Sequence, residues 1–154
     1  MREASWNDCL ASNSAIKVSP DKERAKSLIE TAEERIKLIR EINNKNCNFV
    51  FEDYYTSILE LLQAIVALEG YKITNHICLG YYLRDTLQRE DMYLLFDDIR
   101  FKRNSLTYYG NRMDFETAKV LRFSFSISSK FPGLYGNICH LLVSILPFFR
   151  AIIF

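Results

Sequence analysis

The chain has 154 residues and a mass of 18.1 kDa, which is the length of one domain and enough to bury a hydrophobic core. Hydrophobic residues make up 49% and charged residues 25%, as in an ordinary globular protein, while only 5 Gly and 3 Pro disfavour a turn-rich all-β fold. The formal net charge of +1 argues against a nucleic-acid binder that depends on overall charge, although a local basic patch is compatible with it.

The cysteine spacing predicts neither a zinc site nor a disulfide framework, because the cysteines are scattered with no CxxC pair. They are Cys9, Cys47, Cys78 and Cys139. His76 stands close to Cys78, but two ligands do not make a metal site, and we expect no metal or other cofactor. Residues 1–13 include no apolar core segment, so no secretory signal is predicted and a cytoplasmic location is the default.

We divide the chain into a polar N-terminal arm over residues 1–18, a helical bundle over 19–122 and an apolar C-terminal tail over 123–154. The arm has few large apolar side chains, among them Trp6 and Leu10, so we expect it to be loosely held. The bundle is expected to contain no sheet.

The first helix of the bundle is predicted to start at Ser19-Pro20-Asp21, because serine can accept hydrogen bonds from first-turn amides and proline suits the first helical position. Apolar residues then recur at helical spacing on one face, namely Ala25, Leu28, Ile29, Ala32, Ile36 and Ile39. The second helix has a wider apolar face, as a central helix should, and ends at Gly70.

Further helix starts are predicted at Asn75, Glu90 and Asp114 from the same signals. The five helices are expected near residues 21–42, 50–69, 75–87, 90–109 and 114–122. Short links between them imply antiparallel neighbours. The predicted fold is therefore all-α, an up-down bundle of four to five helices.

The character of the chain changes after Glu116, because no Asp or Glu follows and the amphipathic pattern is lost. The apolar run from Ile138 to Phe154 contains Pro147 and is shorter than the about 20 residues that a transmembrane helix needs. Three readings remain: a C-terminal helix folded on the bundle, a membrane-associated tail, or a terminus not shaped by selection, such as out-of-frame translation. We favour the last, because the acidic residues vanish abruptly in the middle of a predicted helix.

Residues 100–110 hold the best candidate for a functional site. Arg103 comes four residues after Ile99 and three before Leu106, so it falls on the inward stripe of the fourth helix. Its plain interpretation is an arginine whose methylenes lie along the core edge while the costly-to-desolvate guanidinium stays in water. The alternative is that Arg103 and Asn104 point into a cleft, where they bind a phosphate.

Basic and aromatic residues are interleaved around Arg103, an arrangement that suits single-stranded nucleic acid. The same residues also suit an ordinary helix end, where cations complement the helix dipole. The candidate contacts to nucleic acid or phosphate are Arg100, Lys102, Tyr109 and Arg112.

The end of the fourth helix resembles the HEPN domain, with Arg103-Asn104 followed after three residues by Tyr108-Tyr109-Gly110. The second helix is similar to archaeal and bacterial members, through Tyr54-Tyr55 and the run Glu60-Leu-Leu-Gln-Ala64 that leads to Gly70-Tyr71-Lys72. The likeness covers about residues 25–119. It implies a HEPN-like bundle, a homodimer with a shared cleft, RNA or nucleotide as ligand, and a frequent nucleotidyltransferase partner, as in toxin-type pairs.

In the RNase members of that family, an arginine and a histidine four to six residues later form the catalytic pair. The resemblance therefore assigns the catalytic positions to Arg103, Asn104 and Tyr108, with tyrosine where the histidine is expected. A tyrosine, with a pKa of about 10, is the neutral phenol near pH 7 and therefore exchanges protons poorly. Tyrosine at this position therefore disfavours metal-independent RNA cleavage but is compatible with binding. The distant His76 is interpreted as a structural residue.

Three functions remain open. The first is a HEPN-like module that binds RNA or a nucleotide, and the retained Arg103-Asn104 favours it. The second is a non-catalytic dimeric interaction module, favoured by Tyr108. The third, a membrane-associated helical protein, depends on the tail and is the least favoured.

Overall fold

The computed structural model describes residues 3–39 and 41–109, with side chains up to residue 106. This part of the chain is mostly helical, which confirms the all-α class in broad terms, and it adds two short strands. The elements are α1 (Trp6–Ala11), β1 (Ala15–Lys17), α2 (Lys22–Leu38), α3 (Cys47–Leu68), β2 (Tyr71–Ile73), α4 (Ile77–Tyr81), a π-helical turn (Tyr82–Thr86) and α5 (Glu90–Tyr109). None of the described helices is long and apolar enough to cross a membrane.

The first four predicted helices are observed within a few residues of their expected ends. The third is split into α4 and the π-helical turn that continues it. Asp21 rather than Ser19 caps α2, because its carboxylate accepts a hydrogen bond of 2.9 Å from the backbone N–H of Arg24. The predicted helix at 114–122 and the tail at 123–154 lie outside the described residues.

Helices α2 and α3 form an antiparallel hairpin. The backbone N–H of Asp21 donates to the carbonyl of Ala67 at one end, and Arg35 reaches Asp53 toward the other. Ala25 and Ala32, seven residues apart on α2, are completely buried because their small side chains let the two helices approach closely. Helix α3 is the central helix, with 15 of its 22 residues buried.

The expectation that the bundle contains no sheet is wrong. Strands β1 and β2 pair antiparallel, with Ala15 opposite Ile73 and Lys17 opposite Tyr71. The turn before β2 requires Gly70, whose φ is +78° and whose added Cβ would lie 2.7 Å from the carbonyl oxygen of Val18. Each strand has only three residues, too few for an alternating pattern to be recognised in the sequence.

The expectation of a loosely held N-terminal arm is also wrong. Trp6 is only 8% exposed, and its ring meets those of Tyr71 and Tyr82 edge-on at centroid distances of 5.2 and 5.1 Å. Its backbone N–H donates to Asp85 Oδ2 at 2.8 Å. These partners lie more than 60 residues along the chain, so the N-terminal sequence alone did not reveal them.

A disulfide joins Cys9 of α1 to Cys78 of α4, which corrects the expectation that the cysteines form no such bond. The two residues are 69 positions apart, and spacing rules do not predict a pair at that separation. Because disulfides persist mainly in oxidising compartments, this bond argues against the cytoplasmic default.

Candidate functional site

Arg103 continues the buried stripe of α5 but carries its charge at the edge of the core. Its side chain is 29% exposed, and its Nε lies 3.3 Å from Glu52 Oε2 on α3. The guanidinium carbon lies 5.6 Å from the ring centroid of Tyr55, a cation–π arrangement. Tyr55 itself is 3% exposed. The plain interpretation of Arg103, with its stem on the core and its head partly in water, agrees with this geometry.

His76 joins the same place from the residue just before α4. Its imidazole centroid lies 6.5 Å from that of Tyr55. The pKa of His76 is lowered below its ordinary value of 6.5, first by partial removal from water and then by the positive charge of Arg103. The imidazole is therefore mainly neutral at pH 7. We call Glu52, Tyr55, His76 and Arg103 the Arg103 cluster.

From the sequence, His76 was predicted to be a structural residue and was not paired with Arg103. The two residues are 27 positions apart, His76 just before α4 and Arg103 in α5, and no motif links them. Only the packing of α3 between them brings both to the ring of Tyr55. No signal in the sequence could have identified this neighbourhood.

The other basic residues of α5 are balanced by carboxylates of the same helix. Arg100 donates to Asp97 Oδ1 at 2.6 Å, and Lys102 Nζ lies 2.8 Å from Asp98 Oδ2. Since Arg103 also has a carboxylate partner, the described part of the predicted basic patch has little excess positive charge.

The remaining predicted site residues are only partly within the described chain. Asn104 lies in α5 with a partly buried side chain. Tyr108 and Tyr109 belong to the last turn of α5, but their side chains lie outside the described residues, and so does Arg112. The roles of these four residues stay predictions.

The Arg103 cluster combines the positively charged guanidinium of Arg103, which donates hydrogen bonds, with the imidazole of His76, which can accept a proton. The pair between Arg103 and Glu52 is partly solvated on both sides, at 29% and 35% exposure, and such pairs contribute only about 0–1 kcal/mol. A phosphate could therefore replace Glu52 as the partner of the guanidinium at low cost. Within the described residues, no group of three or more side chains could hold a metal ion.

No family model matches this chain, and the searches of curated proteins and of solved structures found no match either. Its class is therefore defined by fold and site alone. It is a mostly helical protein with a disulfide-bonded N-terminal segment and with an arginine and a histidine that meet at Tyr55 of its central helix.

Proposed function

We propose that this chain is a HEPN-like module that binds RNA or a nucleotide through phosphate at the Arg103 cluster. The supporting observation is that Arg103 of α5 and His76, which directly precedes α4, both lie at the ring of Tyr55. A guanidinium offers two parallel hydrogen bonds to a phosphate, and an exposed imidazole beside it can donate, accept or stack on a base.

A second candidate function is RNA cleavage, for which the support is that the imidazole of His76 and the guanidinium of Arg103 lie at the same ring, that of Tyr55. A neutral imidazole can take the proton of a 2′-hydroxyl while the 2′-oxygen attacks the adjacent phosphorus. The bond from phosphorus to the 5′-oxygen then breaks, and the imidazolium returns the proton to that oxygen. The products are a 2′,3′-cyclic phosphate and a free 5′-hydroxyl. In this proposal His76 supplies the histidine that Tyr108 does not.

The pair between Arg103 and Glu52 supports the competing view that the cluster is only structural. In that view the chain is a non-catalytic interaction module whose phosphate site has been lost. The membrane-associated alternative depends on the tail, which lies outside the described residues.

The proposal includes a homodimer and, as in the resembling family, a nucleotidyltransferase partner. Support for the dimer comes from Leu94 and Phe101, which are 60% and 71% exposed and stand seven residues apart on one face of α5. Light scattering should give twice the chain mass, and Phe101→Ser should shift it toward the monomer. A clean monomer of the unchanged chain at micromolar concentration would contradict the dimer.

The binding proposal is tested with a fluorescent single-stranded RNA and with ATP. Arg103→Ala should remove a charge-assisted contact of about 1.5–3 kcal/mol and weaken binding roughly ten- to a hundredfold. Arg24→Ala, which removes an exposed arginine from α2, is the matched control and should change binding less than twofold. If Arg103→Ala lowers only the free energy of unfolding and the unchanged chain binds neither ligand, the cluster is structural.

The cleavage candidate is tested separately with a 5′-labelled RNA in the presence of EDTA. His76→Gln should abolish any cleavage by the unchanged chain while leaving RNA affinity within a few-fold. Tyr108→His, which restores the family's pairing, should create or raise cleavage. If neither the unchanged chain nor Tyr108→His cuts RNA, catalysis is excluded and the binding proposal stands on its own test.

A further inference from the structure

A groove of about 640 Å³ lies between the C-terminal end of α2 and the N-terminal end of α3. It is separate from the Arg103 cluster, because Glu52 turns toward α5 whereas the next residue, Asp53, turns toward Arg35 of α2. Leu38 and Phe49 line the groove and are 69% and 70% exposed. Large apolar side chains this exposed on adjoining helices are typical of a surface that contacts another molecule.

Among the described residues that line the groove, the charged side chains are mostly acidic. Glu34, Glu41 and Asp53 line the groove, and Arg35 is the only cation among its described lining residues. The Arg35 guanidinium already donates to Glu60 Oε1 at 2.7 Å, and this carboxylate is only 14% exposed. Arg35 also lies 3.8 Å from Asp53, so Glu34 and Glu41 are the carboxylates that leave the described lining residues with a net negative charge.

We propose that this groove binds a short protein segment that carries lysine or arginine beside one or two large apolar side chains. The apolar side chains of such a segment would cover Leu38 and Phe49, which removes apolar surface from water. Its cations would meet Glu34 and Glu41, and this complementarity sets the choice of partner. The same carboxylates would repel nucleic acids and anionic lipids, so this ligand differs in class from the phosphate proposed for the Arg103 cluster.

The test uses the full chain and a fluorescein-labelled peptide that repeats Lys-Lys-Leu-Phe three times, measured by fluorescence anisotropy. We expect micromolar binding that weakens when NaCl is raised, because the attraction is between partly solvated charges. The counterpart peptide with Glu in place of Lys should bind at least tenfold more weakly. Equal affinity for the two peptides would overturn the proposal.

Phe49→Ser should weaken binding of the lysine peptide tenfold or more, and Glu34→Gln with Glu41→Gln should weaken it several-fold. Ile16→Ser is the matched control, because Ile16 is also an exposed apolar residue, at 42%, but lies on β1; it should change peptide binding less than twofold. Equal losses for Phe49→Ser and Ile16→Ser would overturn the proposal. A lysine peptide that does not bind would also overturn the proposal, including the case in which a second copy or another part of this chain occupies the groove.

Discussion

Cys9 in α1 is bonded to Cys78 in α4, and both residues are completely buried. The bond fixes the N-terminal segment against α4, two residues after His76. It therefore helps to hold the start of α4, and with it His76, at the Arg103 cluster. A feature that sequence reasoning did not foresee thus supports the candidate site.

Loss of this disulfide should destabilise the protein. Cross-linking across 69 residues lowers the entropy of the unfolded chain by an amount worth about 4 kcal/mol at 25 °C. We expect Cys9→Ser with Cys78→Ser to lower the free energy of unfolding in urea by about that much. A reductant should destabilise the unchanged chain similarly and leave the double variant unaffected. An unchanged chain that responds to reductant no more than the double variant would contradict the bond.

The pKa of His76 should be measurably low. We expect an NMR titration of its imidazole to give a midpoint below 6.5, and Arg103→Ala to raise it, because a neighbouring positive charge is removed. Partial burial also lowers this pKa, so the midpoint in that variant should stay below 6.5. His140→Gln identifies the signal, since the chain has 2 histidines. If Arg103→Ala leaves the midpoint unchanged, the charge of Arg103 does not lower the pKa of His76 and this prediction is wrong.

The lowered pKa of His76 also gives a pH dependence of stability. Between the folded-state pKa and 6.5, the unfolded chain binds more protons than the folded protein. The contribution of His76 to stability is therefore complete above about 6.5 and is lost as pH falls through the folded-state pKa. Urea unfolding at several pH values should show a smaller loss for His76→Gln than for the unchanged chain. If the free energy of unfolding depends on pH in the same way in both proteins, His76 does not cause this pH dependence.

Gly70→Ala should destabilise the protein by about 1–3 kcal/mol, because alanine is strained at a φ of +78° and its Cβ would meet the carbonyl oxygen of Val18. Gly80→Ala is the matched control in α4. Its Cβ would approach the rings of Phe96 and Tyr93 at 3.2 Å, but its backbone is helical, so a smaller loss is expected. Thermal unfolding of both variants provides the comparison; a larger loss for Gly80→Ala would contradict the role assigned to Gly70.

Deletion of residues 129–154 should leave the thermal unfolding midpoint nearly unchanged and should improve solubility. The reason is that an apolar run that adds little to the core promotes aggregation. These residues lie outside the described part of the chain, so this expectation comes from the sequence pattern. A shortened chain that fails to fold would show that the segment is a core element and that the out-of-frame interpretation is wrong.

The helices were the part of this protein that its sequence by itself determined. The spacing of Ala25 and Ala32 on α2, the broad apolar face of α3 and the position of Arg103 on the inward stripe of α5 are local patterns with a period near 3.6 residues. Such patterns can be recognised in the sequence because each helix must bury one face, whatever its neighbours are.

Only the tertiary structure decided which distant residues meet. The Cys9–Cys78 bond, the pairing of β1 with β2, and the approach of His76 and Arg103 to Tyr55 all join segments separated by 20 or more residues. The physical reason is that these contacts depend on how whole helices pack, and no local spacing encodes that packing. The first four predicted helices therefore lie close to their observed positions, whereas the histidine of the candidate site could be identified only from the fold.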